Sequence, residues 1–222
     1  MYQRDYILRM IEQITTAIAT ISGLRKEQKQ QQAFDLLEEL LNRHFRLNSK
    51  LLTSLSERDI IGILQKDGVV ESEKVLILAA MLKEEGDLYE SLGEQDQAYL
   101  RHLKGLQLGL AASENNVETS ALDYHADIQA LIDRLRTYEL PPQMKARLFV
   151  YYEKAGQYDQ AENLLYELLP LNPEQMREIG IRFYENLLLK SPEEREAGGL
   201  PGEEVEEGLT DWLQKTAGVE SV

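Results

Sequence analysis

The chain has 222 residues, of which 28% are charged and 43% hydrophobic, with a net charge of −15 and no cysteine. That composition is ordinary for a globular protein, and the length allows roughly 70% of the unfolded surface to be buried in one large domain or two small ones. The negative field disfavours nucleic acid and anionic membranes, and the missing thiol excludes disulfides, thiolate metal sites and a cysteine nucleophile.

The opening, MYQRDYILRMIEQITTAIATISGL, does not read as a secretory signal, because Arg9 and Glu12 interrupt the apolar stretch. No apolar run approaches the roughly 18 residues that span a bilayer, so a cytoplasmic location is expected. Residues 4–22 read as an amphipathic helix with Ile7, Met10, Ile11, Ile14, Ile18 and Ile21 on one face. That face packs on the next helix or, alternatively, makes a homodimer; the polar face is not basic, which argues against a membrane surface. Gly23 is expected to end this helix. Residues 26–46 form the second arm of a hairpin, and residues 48–66 hold two short helical turns, one opened by Ser56 and Asp59. Lys66–Asp67–Gly68 reads as a turn.

A long helix follows from about Glu71 to Leu92. Its segment VLILAAML, Val75–Leu82, is apolar all round and predicts a helix buried on more than one side. Gly93 stops it, and EQDQAYLRHLKGLQLGLAAS continues as another helix. Glu118–Tyr138 is helical again and ends at Glu139–Leu140–Pro141–Pro142. In KARLFVYYEKAGQYDQAENLLYELLPLNP, Lys145–Pro173, two helical patterns meet at Ala155–Gly156. Leu148, Tyr152 and Ala155 make one stripe; Tyr158, Ala161, Leu164, Leu165 and Leu168 make the other. Gly156 admits the left-handed conformation that stops a helix, and Pro173 opens the next.

All six prolines lie at or after Pro141, which marks a subdomain hinge. Beyond the helix Pro173–Lys190, REAGGLPGEE breaks the chain and EEVEEGLTDWLQK forms a final helix. Its Val205, Leu209, Trp212 and Leu213 share a face, which predicts docking on the preceding helix although Ser191–Val222 carries nine acidic and two basic residues. The expected divisions are 1–68, 69–140, 141–190 and 191–222, with about nine or ten helices and no sheet.

The hairpin at Gly156 resembles a tetratricopeptide repeat. Tyr152, Gly156, Tyr158, Ala161 and Pro173 stand at that family's signature positions, with Phe149 where a small residue is usual. A second match places Gly86, Tyr89, Gly93 and Ala98 at the same spacing, with departures at Glu85, His102 and Gly105. The turn glycines Gly93 and Gly156 are 63 residues apart rather than a multiple of about 34. The resemblance therefore implies an all-α, irregular stack of antiparallel helical hairpins, a tetratricopeptide-repeat-like superhelix with a C-terminal capping helix. The segments DYILRMIEQ, YYEKAGQYDQAE and FYENLLLKSPEEREAGGLPGEEVEEGL also resemble an uncharacterised bacterial family of helical proteins with no assigned activity.

The repeat resemblance implies a protein-interaction or scaffold module that holds a partner segment on its inner face. The positions it assigns to that groove are Lys83, Asp87 and Glu90, then Ala146, Val150, Glu153 and Lys154. Asp87 would repel a carboxylate there, so a basic or apolar segment is the expected partner.

Chemical motifs are few. His44, His102 and His125 belong to no HExxH or carboxylate–xx–His pattern, so no metal is expected. There is no GxSxG, no phosphate-binding glycine loop and no GxGxxG, and GGLPG reads as a turn. Carboxylate pairs such as Glu84–Glu85 and Glu193–Glu194 are expected by chance at this acidity. Tyr151, Tyr152, Tyr158 and Tyr166 read as core rather than as a ligand cage. The chain is expected to be non-enzymatic and without a cofactor. The alternative is a ligand-sensing or catalytic bundle whose interhelical pocket gathers His102, His125 and carboxylates beside Val75–Leu82.

Overall fold

A computed structural model describes residues 2–66, 69–114 and 124–218. The fold is all-α, with twelve α-helices among the described residues and two compact units, Met1–Glu139 and Leu140–Val222. None of the described helices is long and apolar enough to cross a membrane.

The first unit contains α1 (Tyr2–Lys26), α2 (Gln30–Phe45), α3 (Ser49–Ser54), α4 (Glu57–Ile63), α5 (Ser72–Ser91), α6 (Gln95–Glu114) and α7 (Tyr124–Leu135). Helix α5 is its axis. Every residue from Val75 to Leu82 is buried, as an all-round apolar run demands, and α6, α1, α2 and α7 all pack on α5. The α5–α6 turn is closed by Gly93, at φ 78°, whose N–H donates to the Glu90 carbonyl at 2.9 Å, while Glu94 donates to the Tyr89 carbonyl at 3.0 Å.

Helix α1 does not stop at Gly23. It runs on to Lys26, Glu27 N–H bonds the Gly23 carbonyl at 3.0 Å, and the chain reverses at Gln28, which has φ 59°. An internal glycine costs a helix only about 1 kcal/mol, which continued packing of the helix can offset. The isoleucine face is spent inside the unit: Met10, Ile11, Ile14 and Ile21 lie in the core shared with α2 and α5, so this stripe is not a free dimer face. The same packing unites segments 1–68 and 69–140, expected as separate, in one body.

Helices α3 and α4 are the two short turns, and α4 opens on a capping box between Ser56 and Asp59. A minimal antiparallel ladder follows, β1 (Gln65–Lys66) with β2 (Val69–Val70), pairing Gln65 with Val70 and Lys66 with Val69. It is the one departure from helix in the regular structure of the described residues. The turn read at Asp67–Gly68, and residues 118–123 of the helix read as Glu118–Tyr138, lie outside the described residues.

The second unit contains α8 (Pro142–Ala155), α9 (Tyr158–Leu168), a 3-10 turn (Leu169–Leu171), α10 (Pro173–Leu188), α11 (Pro192–Ala197) and α12 (Gly202–Lys215). Gly156 ends α8 in the left-handed conformation at φ 73°. Leu148, Tyr152, Tyr158, Ala161 and Leu165 are buried, but Ala155 is exposed and drops out of the stripe. Phe149 is buried against Phe183, with ring centroids 5.6 Å apart. The stretch read as a chain break begins within helix α11, which a capping box between Ser191 and Glu194 starts. The turn at Gly198 also caps α9, since its carbonyl accepts the N–H groups of Tyr158 at 2.9 Å and Asp159 at 3.1 Å.

Helix α12 packs on α10 through Trp212, which is fully buried. Its indole N–H donates to the Arg177 carbonyl at 3.2 Å, and the Tyr166 ring meets it edge-on at 5.1 Å. The ring fits only because position 180 is glycine: a Cβ there would stand 2.2 Å from the indole. Val205 is buried beside it, Leu209 is half-buried and Leu213 is exposed. The substitution Gly180→Ala is therefore expected to destabilise the protein by about 1–3 kcal/mol and to shift the single tryptophan's emission toward the red. Unchanged melting and emission would contradict this packing.

Candidate functional site

The sequence Lys83–Glu84–Glu85–Gly86–Asp87 continues the apolar run of α5 without leaving the interior. Glu84, Glu85 and Asp87 are only 5%, 1% and 4% exposed. Three carboxylates so placed need partners, because an unpaired buried charge is strongly unfavourable. At about 100° per residue, Lys83, Asp87 and Glu90 face away from Glu85 and Tyr89. Two polar sites result, one on each side of the helix.

On the first side Asp87 is clamped from three helices. Arg25 of α1 reaches Oδ2 at 2.6 Å, and Arg134 of α7 donates through Nε to Oδ1 at 2.9 Å and through Nη2 to Oδ2 at 3.2 Å. His102 of α6 places Nε2 3.1 Å from Oδ1. Burial opposes the charge on Asp87, but the bonds from His102, Arg134 and Arg25 outweigh it and hold the carboxyl well below its ordinary range. Gly86 makes room for the imidazole, since a Cβ there would stand 2.3 Å from the His102 ring. Nearby, Lys83 bonds Asp127 at 2.7 Å and lies 3.4 Å from Glu84. Burial works against this ammonium, yet those partners raise its pKa overall. Glu84 is pushed up by burial, which its neighbour Lys83 only partly offsets, and its Oε2 has no hydrogen-bond partner.

Ligand atoms of Asp87, Glu90 and His102 lie within 4.8 Å of one another, a spacing a divalent cation could use. Arg25 and Arg134 already occupy Asp87, and Arg134 also approaches Glu90 at 3.5 Å. Two guanidinium charges beside the trio make it an ion-pair network rather than a metal site.

On the second side, Glu85 Oε1 accepts the Ser49 hydroxyl and Arg101 Nε, the latter at 3.2 Å. Burial raises the Glu85 pKa despite both bonds, and its Oε2 is unpartnered. The Arg101 guanidinium lies 4.5 Å from the Tyr89 ring centroid and also bonds Gln97 and, at 3.4 Å, Ser49. Over this floor opens a groove of about 550 Å³. Its walls come from Glu38 of α2, Asn48, Ser49, Lys50 and Thr53 at α3, Tyr89 of α5, and Gln97, Leu100 and Arg101 of α6.

These positions revise several expectations. Asp87 does not face a groove, since it is sealed by its three cationic and imidazole partners. Lys83 is half-buried and engaged, and Glu90 alone of that set is exposed, beside Arg134. In the second unit Ala146, Val150 and Lys154 are exposed on α8 and Glu153 is half-buried. Glu84–Glu85 is not a chance surface pair but buried polar structure. Of the histidines, His102 meets the Asp87 carboxylate; His125 stacks beside Tyr124 with ring centroids 4.1 Å apart, and His44 is half-buried. The basic partners Arg25, Arg101 and Arg134 carried no sequence signal. Glu85 and His102 did, because both depart from the apolar or small residues that the repeat pattern requires.

A family model described as "Family of unknown function (DUF6483)" matches residues 1–217. No curated protein and no solved structure matches the chain.

Replacing Asp87 with Asn would leave Arg25 and Arg134 facing a neutral group and is expected to cost about 3–5 kcal/mol in urea unfolding. A loss near zero would show that the clamp adds nothing. The pH response separates Glu84 from Asp87. Because Glu84 is raised, the folded chain binds its proton before the unfolded chain does, so this residue lowers stability as pH rises above about 4. Asp87 is depressed, so its contribution is full above about pH 4 and is lost as pH falls further. Glu84→Gln should therefore raise the melting temperature at pH 8 and change it little near pH 4. An equal shift at both pH values would contradict the buried, raised carboxyl.

Proposed function

The chain belongs to that family of unknown function, and we propose that it is a non-enzymatic binding module that holds a partner protein segment in the groove of the first unit. The observation that carries this reading is the groove itself: about 550 Å³ of open space walled by four helical elements over a floor of paired, immobile ions. A volume of that size accepts a few side chains of an extended or helical segment. The walls offer amides, hydroxyls, the Tyr89 ring and the exposed Leu100, a mixture suited to recognition.

The competing reading, a sensing or catalytic pocket, asks for an acid or base standing free in the cavity. The carboxylate at this wall, Glu38, accepts the Ser49 N–H at 3.2 Å, and the floor carboxylate Glu85 is paired with Arg101 and Ser49. The α8–α9 hairpin, with Gly156, Tyr158 and Ala161 in their signature places, supports a repeat-like ancestry for the second unit. The net charge of −15 favours a partner whose overall charge is basic.

A photo-crosslinking side chain at Leu100, compared with one at the exposed Glu185 of the second unit, tests the reading in cells. One discrete protein adduct is expected at position 100, absent from position 185 and weakened by Lys50→Glu. Identical adducts at both positions, or none at position 100, would overturn it.

A further inference from the structure

We infer that the groove recognises a carboxylate side chain on the bound segment, held between Arg101 and Lys50; this rests on the proposed binding role and names the group that is read. The inference follows from the hydrogen-bonding capacity left over at the walls. Arg101 has five N–H donors, and three go to Glu85, Gln97 and Ser49, which leaves two for a ligand. Its side chain is almost wholly buried, and the Glu85 carboxylate, the Gln97 carbonyl and the Tyr89 ring hold it in one orientation before anything binds. A guanidinium fixed in this way binds a planar oxyanion without first losing rotamer freedom.

The rim adds donors of the same sense. Among the described residues, the exposed Lys50 ammonium has no ion-pair partner. The Asn48 carbonyl is used by Leu51 N–H and the Gln97 carbonyl by Arg101, so both amides present their N–H ends. Part of the acceptor capacity is already taken: Glu38 holds Ser49 N–H, and Glu85 lies beneath the floor. A basic side chain entering here would meet the like charges of Arg101 and Lys50. A carboxylate would meet donors on both sides, with Leu100 and the Tyr89 ring beside its aliphatic stem.

The charge balance disfavours a dianion. Arg101 and Lys50 are offset by Glu85 and Glu38, so the site starts near neutral and suits one added negative charge better than the two of a phosphoryl group. The overall charge of −15 governs approach, whereas these fixed donors govern the contact at close range.

The full chain, labelled with nitrogen-15, is titrated with four probes: N-acetylglutamate methylamide, its glutamine and lysine counterparts, and inorganic phosphate. Saturable shifts are expected at Arg101 Nε–H and at the Ser49 and Lys50 amides with the glutamate probe, with affinity about tenfold above the glutamine probe, as for a charge-assisted bond. Lys50→Gln, on the exposed rim, should weaken the glutamate probe alone. Equal binding of the glutamate and glutamine probes, preference for the lysine probe, or no shift at Arg101 overturns the inference. Tighter binding of phosphate at the same residues overturns it in favour of a phosphoryl ligand. If cross-linking at Leu100 persists in any of those cases, the binding role stands and only the carboxylate fails; if both are lost, the binding role fails too.

Discussion

The carboxylate of Asp87 is the contact on which the first unit depends. It lies inside the bundle, and a lone charge there would be several kcal/mol unfavourable. Arg25, His102 and Arg134 satisfy it from three different helices, so α1, α5, α6 and α7 are joined at one point. Apolar packing tolerates exchange of one aliphatic side chain for another of similar volume, so it fixes helix register less sharply than directional bonds do. A clamped carboxylate does not slide: its partners must meet it within about 3 Å and at defined angles. The network thus supplies register to a core otherwise built from Val75–Leu82 and the aliphatic faces around it.

The same helix builds both polar sites, and that links the clamp to the groove. Asp87 sets the position of α5 against α1, α6 and α7; Glu85, two residues earlier and on the other side, sets Arg101. Arg101 in turn stacks on Tyr89 and ties Ser49 of α3 to the wall. The groove floor is therefore a continuation of the buried structure, and its shape does not rely on exposed side chains choosing a conformation. Burial raises Glu84 and Glu85 while the paired Asp87 is lowered, so three neighbouring carboxyls respond to pH in opposite senses.

The second unit is held by large rings set against missing side chains. Trp212 lies on Gly180, and Tyr184 lies against Gly208, where a Cβ would stand 2.7 Å from the ring. The Tyr184 hydroxyl donates to Glu162 at 2.5 Å and Tyr166 donates to Asp211 at 3.0 Å. Burial first, and then the bond to Glu162, push the Tyr184 phenol far above its ordinary value, so it is a donor at any physiological pH. These contacts make the acidic C-terminal helix part of the folded unit, since its buried face and its two ring-bearing neighbours leave it no reason to separate.

Most of the helices and their turns are legible in the chain because they are local. The all-round apolar run, the glycines at positions 93 and 156, the proline that opens α10 and the period of the α12 stripe each act over a few residues. The two compact units divide at Glu139–Leu140, beside the Pro141–Pro142 pair. The site was only half legible. Glu85 and His102 stood out as misfits in an apolar pattern, but nothing local says whether a misfit is exposed, paired or poised for chemistry. Arg25, Ser49, Arg101 and Arg134 are far apart in sequence, and their meeting with α5 is a property of how the helices pack. Asp87 shows the difference most clearly: its residue type and its place on a helix were plain from the chain, yet only tertiary contacts made it a buried clamp instead of a groove-facing charge. Secondary structure follows from short-range sterics and periodicity, whereas the ionic partners of a buried carboxylate are chosen by the long-range packing that buries it.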